Sequence, residues 1–301
     1  MQGATATATT TATTRTKFEN ILFATDFSPA AGHAIPFIKK LARHFQSNLV
    51  VLHVKPPVVN PMTQPATWPA DVETAKVCDK EHREELLDTF AGIDTEVLIE
   101  EGDIQSHLEK AIGNHNADLV IIGTRGRTGL AKILLGSAAE EIFRTVPCPV
   151  LTVGPHSDTA KADIREILFA TDFSSEAPAA AAIAISLAQE FQARLTLLHV
   201  VPEPEPGELV SWSNVQESSK NLLRKLVPPE AEAWCKPEYF VERGDPGQRI
   251  LDLANVRAVD LIVLGAQPEK GVPGAATHLP IATAHKVVAH ANCPVLTVRS
   301  K

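Results

Sequence analysis

Ile21-Leu-Phe-Ala-Thr-Asp-Phe-Ser28 occurs a second time, letter for letter, as Ile167-Leu-Phe-Ala-Thr-Asp-Phe-Ser174. Outward from these two blocks the agreement continues in the same order. Leu52-His53-Val54 returns as Leu198-His199-Val200, at the same offset. Gly102-Asp103 returns as Gly244-Asp245, and Asp118-Leu119 followed by Gly123 returns as Asp260-Leu261 followed by Gly265. Cys148-Pro-Val-Leu-Thr-Val153 closes the first series and Cys293-Pro-Val-Leu-Thr-Val298 the second. Matched blocks in one fixed order mark a tandem duplication, and a length of 301 residues suits two domains of ordinary size. The boundaries fall at 17–153 and 164–301, with the Gly-, Pro-, Ser- and charge-containing segment 154–163 as linker.

Each copy reads β-α-β-α-β-α-β-α-β. In the first copy, 20–24, 48–54, 95–100, 119–122 and 149–153 read as strands. Helices are expected over 29–45, 71–90, 104–114 and 137–145. Ser28 is placed to cap the first of these, with Pro29 at its first position and Pro36 able to bend it. In the second copy the first helix, 178–191, is Ala-rich. The next, near 214–226, ends at Pro228-Pro229. Strands alternating with helices require right-handed crossovers and a parallel sheet covered on both faces. The fold class is therefore α/β, as two tandem doubly wound domains.

In such a sheet a ligand sits beyond the C-terminal strand ends, where the strand order reverses. With five strands that crevice lies between the first and the fourth. In the first copy those ends carry Ala24-Thr25-Asp26 and the stretch Gly123-Thr-Arg-Gly126-Arg-Thr-Gly-Leu-Ala-Lys-Ile-Leu-Leu-Gly136-Ser137. This is a glycine-rich strand-to-helix loop, which suits a phosphate: backbone N–H groups and a helix N-terminus face the loop. Arg125, Arg127 and Lys132 add positive charge. Ionised Asp26 accepts hydrogen bonds only and suits a ribose hydroxyl or an adenine amino group. Ser137 reads either as a helix cap or as a phosphate donor.

The spacing of Gly123, Gly126, Gly136 and Ser137 resembles the ATP-binding signature of the universal stress protein family. The Thr-Asp-Phe-Ser, Leu-His-Val and Cys-Pro-Val blocks share that resemblance, which spans Phe18 to Arg299 as two family domains. It implies five-stranded parallel sheets in the order 3-2-1-4-5 and association through the last strand. Homo-oligomers would then form through Val150–Val153 and Val295–Val298. It also implies ATP, with Mg²⁺ on the phosphates, as the ligand. The adenine would lie near Ala24, Thr25, Asp26 and Val54. Phosphate and ribose contacts would fall on Gly123, Thr124, Arg125, Gly126, Arg127, Thr128 and Gly129, and on Ser137, Ala138 and Ala139.

The second copy departs at this loop. Gly265-Ala-Gln-Pro268 replaces Gly-x-x-Gly with a residue lacking an N–H. Counted back from the Cys-Pro-Val block, Ile281 and Ala282 stand where Gly136 and Ser137 stand. Thr171, Asp172 and Val200 are kept. The first copy is expected to bind ATP, and the second to bind it weakly, not at all, or to take a different small ligand.

Other candidates carry less. His53 and His199, at matched strand ends, read as hydrogen-bonded structural residues. The histidines at 278, 285 and 290 have no i,i+4 pair and no cysteine or carboxylate to complete a zinc set. No catalytic residue and no metal ligand is assigned; Glu140 and Glu141 read as a solvated helix face. The four cysteines show no C-x-x-C spacing and read as buried, reduced thiols. A net charge of −8 argues against a nucleic-acid backbone as partner. No apolar run is long enough to span a membrane. The Thr/Ala-rich residues 1–16 contain no apolar signal core and read as a disordered tail or, alternatively, a targeting segment. A cytoplasmic protein is expected. Three readings follow: an ATP-binding stress regulator, a slow ATPase, or an assembly module in which the last strands pair the two domains and nucleotide is secondary.

Overall fold

The computed structural model describes residues 15–55, 69–124, 142, 146–157, 163–204, 211–265 and 278–299. The first domain runs β1 (Asn20–Ala24), α1 (Pro29–Gly32), α2 (Ile35–Phe45), β2 (Asn48–Lys55), α3 (Pro69–Thr89), β3 (Thr95–Glu101), α4 (Ile104–His115), β4 (Leu119–Gly123) and β5 (Val150–Val153). The second runs β6 (Glu166–Thr171), α5 (Ala177–Phe191), β7 (Arg194–Val201), α6 (Trp212–Lys225), α7 (Pro229–Cys235), β8 (Glu238–Arg243), α8 (Pro246–Val256), β9 (Leu261–Gly265), α9 (His278–His290) and β10 (Val295–Val298).

The strand order is β3-β2-β1-β4-β5-β10-β9-β6-β7-β8. Each half keeps the order expected from the sequence, but the two halves form one sheet rather than two. They join where β5 and β10 pair antiparallel, Leu151 opposite Leu296. Both edges of each last strand are thereby filled within the chain, β5 between β4 and β10, β10 between β5 and β9. All other pairings are parallel.

Side-chain alternation along the strands builds the core on both faces of the sheet. Ile21 and Phe23 join one apolar cluster that continues through Leu151 and Leu296 into Ile167 and Phe169 of the second domain. Leu22 and Ala24 face the other way, into a cluster confined to the first domain, and Leu168 and Ala170 into its counterpart in the second. One face of the sheet is thus a shared core. At its rim the Lys40 ammonium lies 2.7 Å from Asp163, and Phe45 meets Phe191 edge-on at 6.0 Å. Arg15 and Thr16 lie on the second domain, Thr16 donating its N–H to Ser186 Oγ at 2.6 Å. The preceding residues of the expected tail lie outside the described residues, as does most of the expected helix 137–145.

Three further sequence expectations change. The single helix over 29–45 is two helices, broken at His33-Ala34. Pro36 has no N–H to give the Gly32 carbonyl, so a continuous helix would lose a bond and clash there; instead Pro36 sits in the first turn of α2. An unanticipated helix, α7, begins at Pro229, a residue preset for a first helical position. Cys78 is exposed, whereas Cys148, Cys235 and Cys293 are buried. Burial, with Asp260 nearby as the second cause, raises the Cys293 thiol to about 12. One thiol per native chain, Cys78, should therefore react with a charged disulfide reagent, the other three only after unfolding. Rapid native titration of two or more thiols would contradict this packing.

Candidate functional site

Strand β1 lies between β2 and β4, with Ala24 opposite both Leu52 and Ile122. The order reverses there, so the chain beyond Ala24 and beyond Gly123 borders one crevice. Thr25 stays attached to β2: its N–H bonds Leu52 O at 2.9 Å, and His53 Nδ1 donates to Thr25 O at 2.8 Å. The chain then turns within two residues. Phe27 N–H bonds Thr25 Oγ1 at 3.1 Å, Ser28 N–H bonds Asp26 Oδ1 at 2.9 Å, and Phe27 adopts φ 56°. Ser28 Oγ caps α1 by accepting from Ala31 N at 3.2 Å, as its position predicts. The Phe27 ring lies between His53, 4.6 Å away, and His82 of α3, stacked at 4.3 Å.

Gly123 ends β4 against α1. A Cβ placed on it would lie 2.5 Å from Ala31 Cα and inside the contact distance of Ala30 O. This glycine lets the first helix approach the strand end. Thr124 is buried, its N–H on Val153 O at 2.9 Å. The structure thus brings Ala24, Thr25 and Asp26 to the end adjoining Gly123 and Thr124. Val54 lies one strand away, opposite Glu100 of β3. Arg125, Gly126, Arg127, Thr128, Gly129, Gly136, Ser137, Ala138 and Ala139 lie outside the described residues.

The second domain repeats the turn. Phe173 N–H bonds Thr171 Oγ1 at 3.0 Å, Ser174 N–H bonds Asp172 Oδ1 at 2.9 Å, and Phe173 has φ 60°. His199 Nδ1 donates to Thr171 O at 2.8 Å. Burial pushes the His199 imidazole below the usual histidine range, against the opposing effects of the Thr171 bond and Asp172. The ring is therefore neutral at pH 7, with Nε2 left as an acceptor. Beyond these strand ends opens a cleft of about 560 Å³. Its lining includes Ala170, Leu198, Val200, Ile250 and Leu264, with Asp172, Glu203 and Asp245 among the polar residues.

Sequence reasoning noted Gly244-Asp245 as a repeated block without assigning it to a site. In the structure Gly244 has φ 133°, and Asp245 caps α8 by accepting from Gln248 N at 2.7 Å. Lys286 of α9 binds the same carboxylate at 2.7 Å. The Lys286 hydrogen bond and then the Gln248 bond hold Asp245 below the usual carboxylate range. The available signal was the repeat itself, since Gly102 and Asp103 form the matching cap in the first domain. Among the described residues no cluster of three metal-ligating side chains occurs, and no helix is long and apolar enough to cross a membrane.

Comparison with known proteins places this geometry among relatives. The family model described as Universal stress protein family matches residues 17–154 and 163–299. A universal stress protein of Mycolicibacterium smegmatis is 24% identical over 300 residues, spanning 93% of this chain and 97% of the relative. A universal stress protein of Thermus aquaticus is 30% identical over 136 residues, 45% of this chain and 98% of that protein. The crystal structure of a universal stress protein from Archaeoglobus fulgidus superimposes with a TM-score of 0.70 at 21% identity, covering 93% of this chain and 98% of that one.

Two measurements test the local geometry. Gly123→Ala should cost about 1–3 kcal/mol of stability in urea unfolding, because backbone stands where its Cβ would go. Gly265→Ala should cost less, since its Cβ would come no nearer than 3.2 Å, to Glu176 Cβ, with the backbone of Glu176 and Ala177 at 3.6 and 3.7 Å. Equal costs would contradict the close approach at Gly123. His199 should titrate below the ordinary value of about 6.5 in an imidazole NMR titration. Because the folded value is depressed, its contribution to stability is present above the unfolded value and is lost as pH falls through the folded one.

Proposed function

We propose that this chain, which belongs to the universal stress protein family, is a stress-response regulator that holds ATP in its first domain. The observation that carries this reading is the meeting of Thr25-Asp26 with Gly123-Thr124 at neighbouring strand ends, from segments about a hundred residues apart. Asp26 offers acceptors for a ribose or a base, and the chain leaving Thr124 carries the Gly-x-x-Gly spacing with Arg125 and Arg127. These residues suit a ligand with a donor-rich head and an anionic tail. Bound Mg²⁺ would neutralise part of the phosphate charge; no protein ligand is assigned to it.

Binding changes the state of the protein only if two conformations differ in affinity. Turnover ranks below binding. Arg125, Arg127 and Lys132 can stabilise phosphoryl charge, but the nearest acids, Glu140 and Glu141, stand beyond the first turn of the expected helix. The protein is expected to act in the cytoplasm, without nucleic acid. The β5–β10 pairing favours one second reading, an assembly module in which nucleotide is secondary.

Mass spectrometry of material released by denaturing the purified protein should find one adenine nucleotide per chain. ATP with Mg²⁺ at a hundred times its Kd should stabilise the protein by about 2.7 kcal/mol, and Gly126→Pro should abolish the shift. Absence of both nucleotide and shift would leave the assembly reading.

A further inference from the structure

The cleft of the second domain combines an apolar floor with a rim that carries three carboxylates, Asp172, Glu203 and Asp245, beside the hydroxyls of Thr171, Ser174 and Thr283. Ala170, Leu198 and Leu264 lie on strands β6, β7 and β9, and Ile250 of α8 adds a branched side chain. A volume of about 560 Å³ falls within the range of about 300–1,000 Å³ usual for small-molecule sites. Its lining includes the acidic residues Asp172, Glu203 and Asp245, together with His199. Among the described residues no arginine or lysine belongs to the lining. Lys286, the nearby cation on α9, is bound to Asp245 at 2.7 Å, and its stem lies against Gly247, where a Cβ would come within 2.7 Å of Lys286 Cδ.

A phosphate presents only acceptors and negative charge, so it meets like charge at the three carboxylates. A neutral or cationic molecule rich in N–H and O–H groups meets partners. The base-side geometry of the first domain is nevertheless kept, down to the matched turn and the histidine on the Thr171 carbonyl. Glu203 stands where the first domain has Pro57, adding a charge that the other copy lacks.

We propose that the second-domain cleft is a separate site for an unphosphorylated, donor-rich heterocyclic molecule of the nucleoside class, and that it discriminates against phosphorylated forms. The choice of nucleoside rests on the nucleotide reading of the first domain; the discrimination rests on the cleft alone. Asp172 and Glu203 receive hydroxyl or amino donors, the apolar floor takes the flat ring, and the carboxylates repel a phosphate.

The test is calorimetric titration of the full chain with adenosine, AMP and ATP. Adenosine should occupy a site that Ala284→Phe removes by filling the cleft, while ATP stoichiometry stays at one per chain. Should Ala284→Phe misfold, Thr283→Trp, at the neighbouring position in the lining, serves the same purpose. AMP should bind the cleft at least about tenfold more weakly than adenosine, and Asp172→Asn with Glu203→Gln should narrow that ratio. Adenosine binding untouched by either filled cleft, or equal affinity of the cleft for adenosine and AMP, would overturn the proposal. If ATP fails to bind but the cleft-dependent adenosine site persists, the first-domain reading falls and this one stands. The reverse result separates them the other way.

Discussion

Everything at the two candidate sites depends on how a central strand is allowed to stop. β1 and β6 are each paired on both sides, and each must leave the sheet between neighbours that still need partners. The Thr-Asp-Phe-Ser turn solves this with its own side chains. Thr25 Oγ1 and Asp26 Oδ1 take the N–H groups freed by the turn, and Ser28 takes one from the first helical turn. A phenylalanine in the left-handed region costs roughly 1–2 kcal/mol. Three side-chain-to-backbone bonds at about 1 kcal/mol each, plus ring contacts to His53 and His82, offset it. At the opposite end of the same strand Asp118 receives the N–H groups of Glu19 and Asn20, and Asp260 those of Arg165 and Glu166. Both ends of the central strand are thus tied by acidic side chains common to both copies.

The duplication made the architecture readable. The Ser28 cap and the convergence on Gly123 follow from repeat, periodicity and the geometry of parallel sheets, while the strand order is what the family resemblance implies. What escaped the sequence depended on interactions at a distance. Pro36 signals a bend, but whether a helix bends or breaks turns on the packing available to each half. Cys78 resembles the other cysteines in its spacing, yet it stands on the exposed face of α3 while the others fill the core. The volume beside Asp172 is set by side chains from strands and helices far apart in the chain, and no local pattern encodes it. The Gly244-Asp245 pair was visible as a repeat, but its place on the cleft rim required the fold.

The copies also differ in how the helix following the second strand is held. In the first domain Lys55 at the end of β2 pairs with Asp79 of α3 at 2.6 Å. In the second, the corresponding strand residue is Val201, and the cation has moved to Arg243 of β8, which lies 4.5 Å from the Trp212 ring at the start of α6. An ion pair has been exchanged for a cation over an aromatic face, a contact that salt screens less. The same exchange puts Arg243 where the first domain has Glu101, so the third-strand ends of the two domains carry opposite charge.

The antiparallel joint between β5 and β10 reverses the second domain relative to the first. Every strand of one half therefore ends where the strands of the other begin, and the two crevices open at opposite poles of a single slab. Helix α9 runs between those poles. Thr283 and Ala284 border the second-domain cleft. Val288 O and Ala291 O lie beside Gly154, within 3.9 and 3.7 Å of where its Cβ would stand, and Thr124 Oγ1 within 3.8 Å. The two crevices in this sense face apart, and α9 is the element that touches both the second-domain cleft and the end of β5.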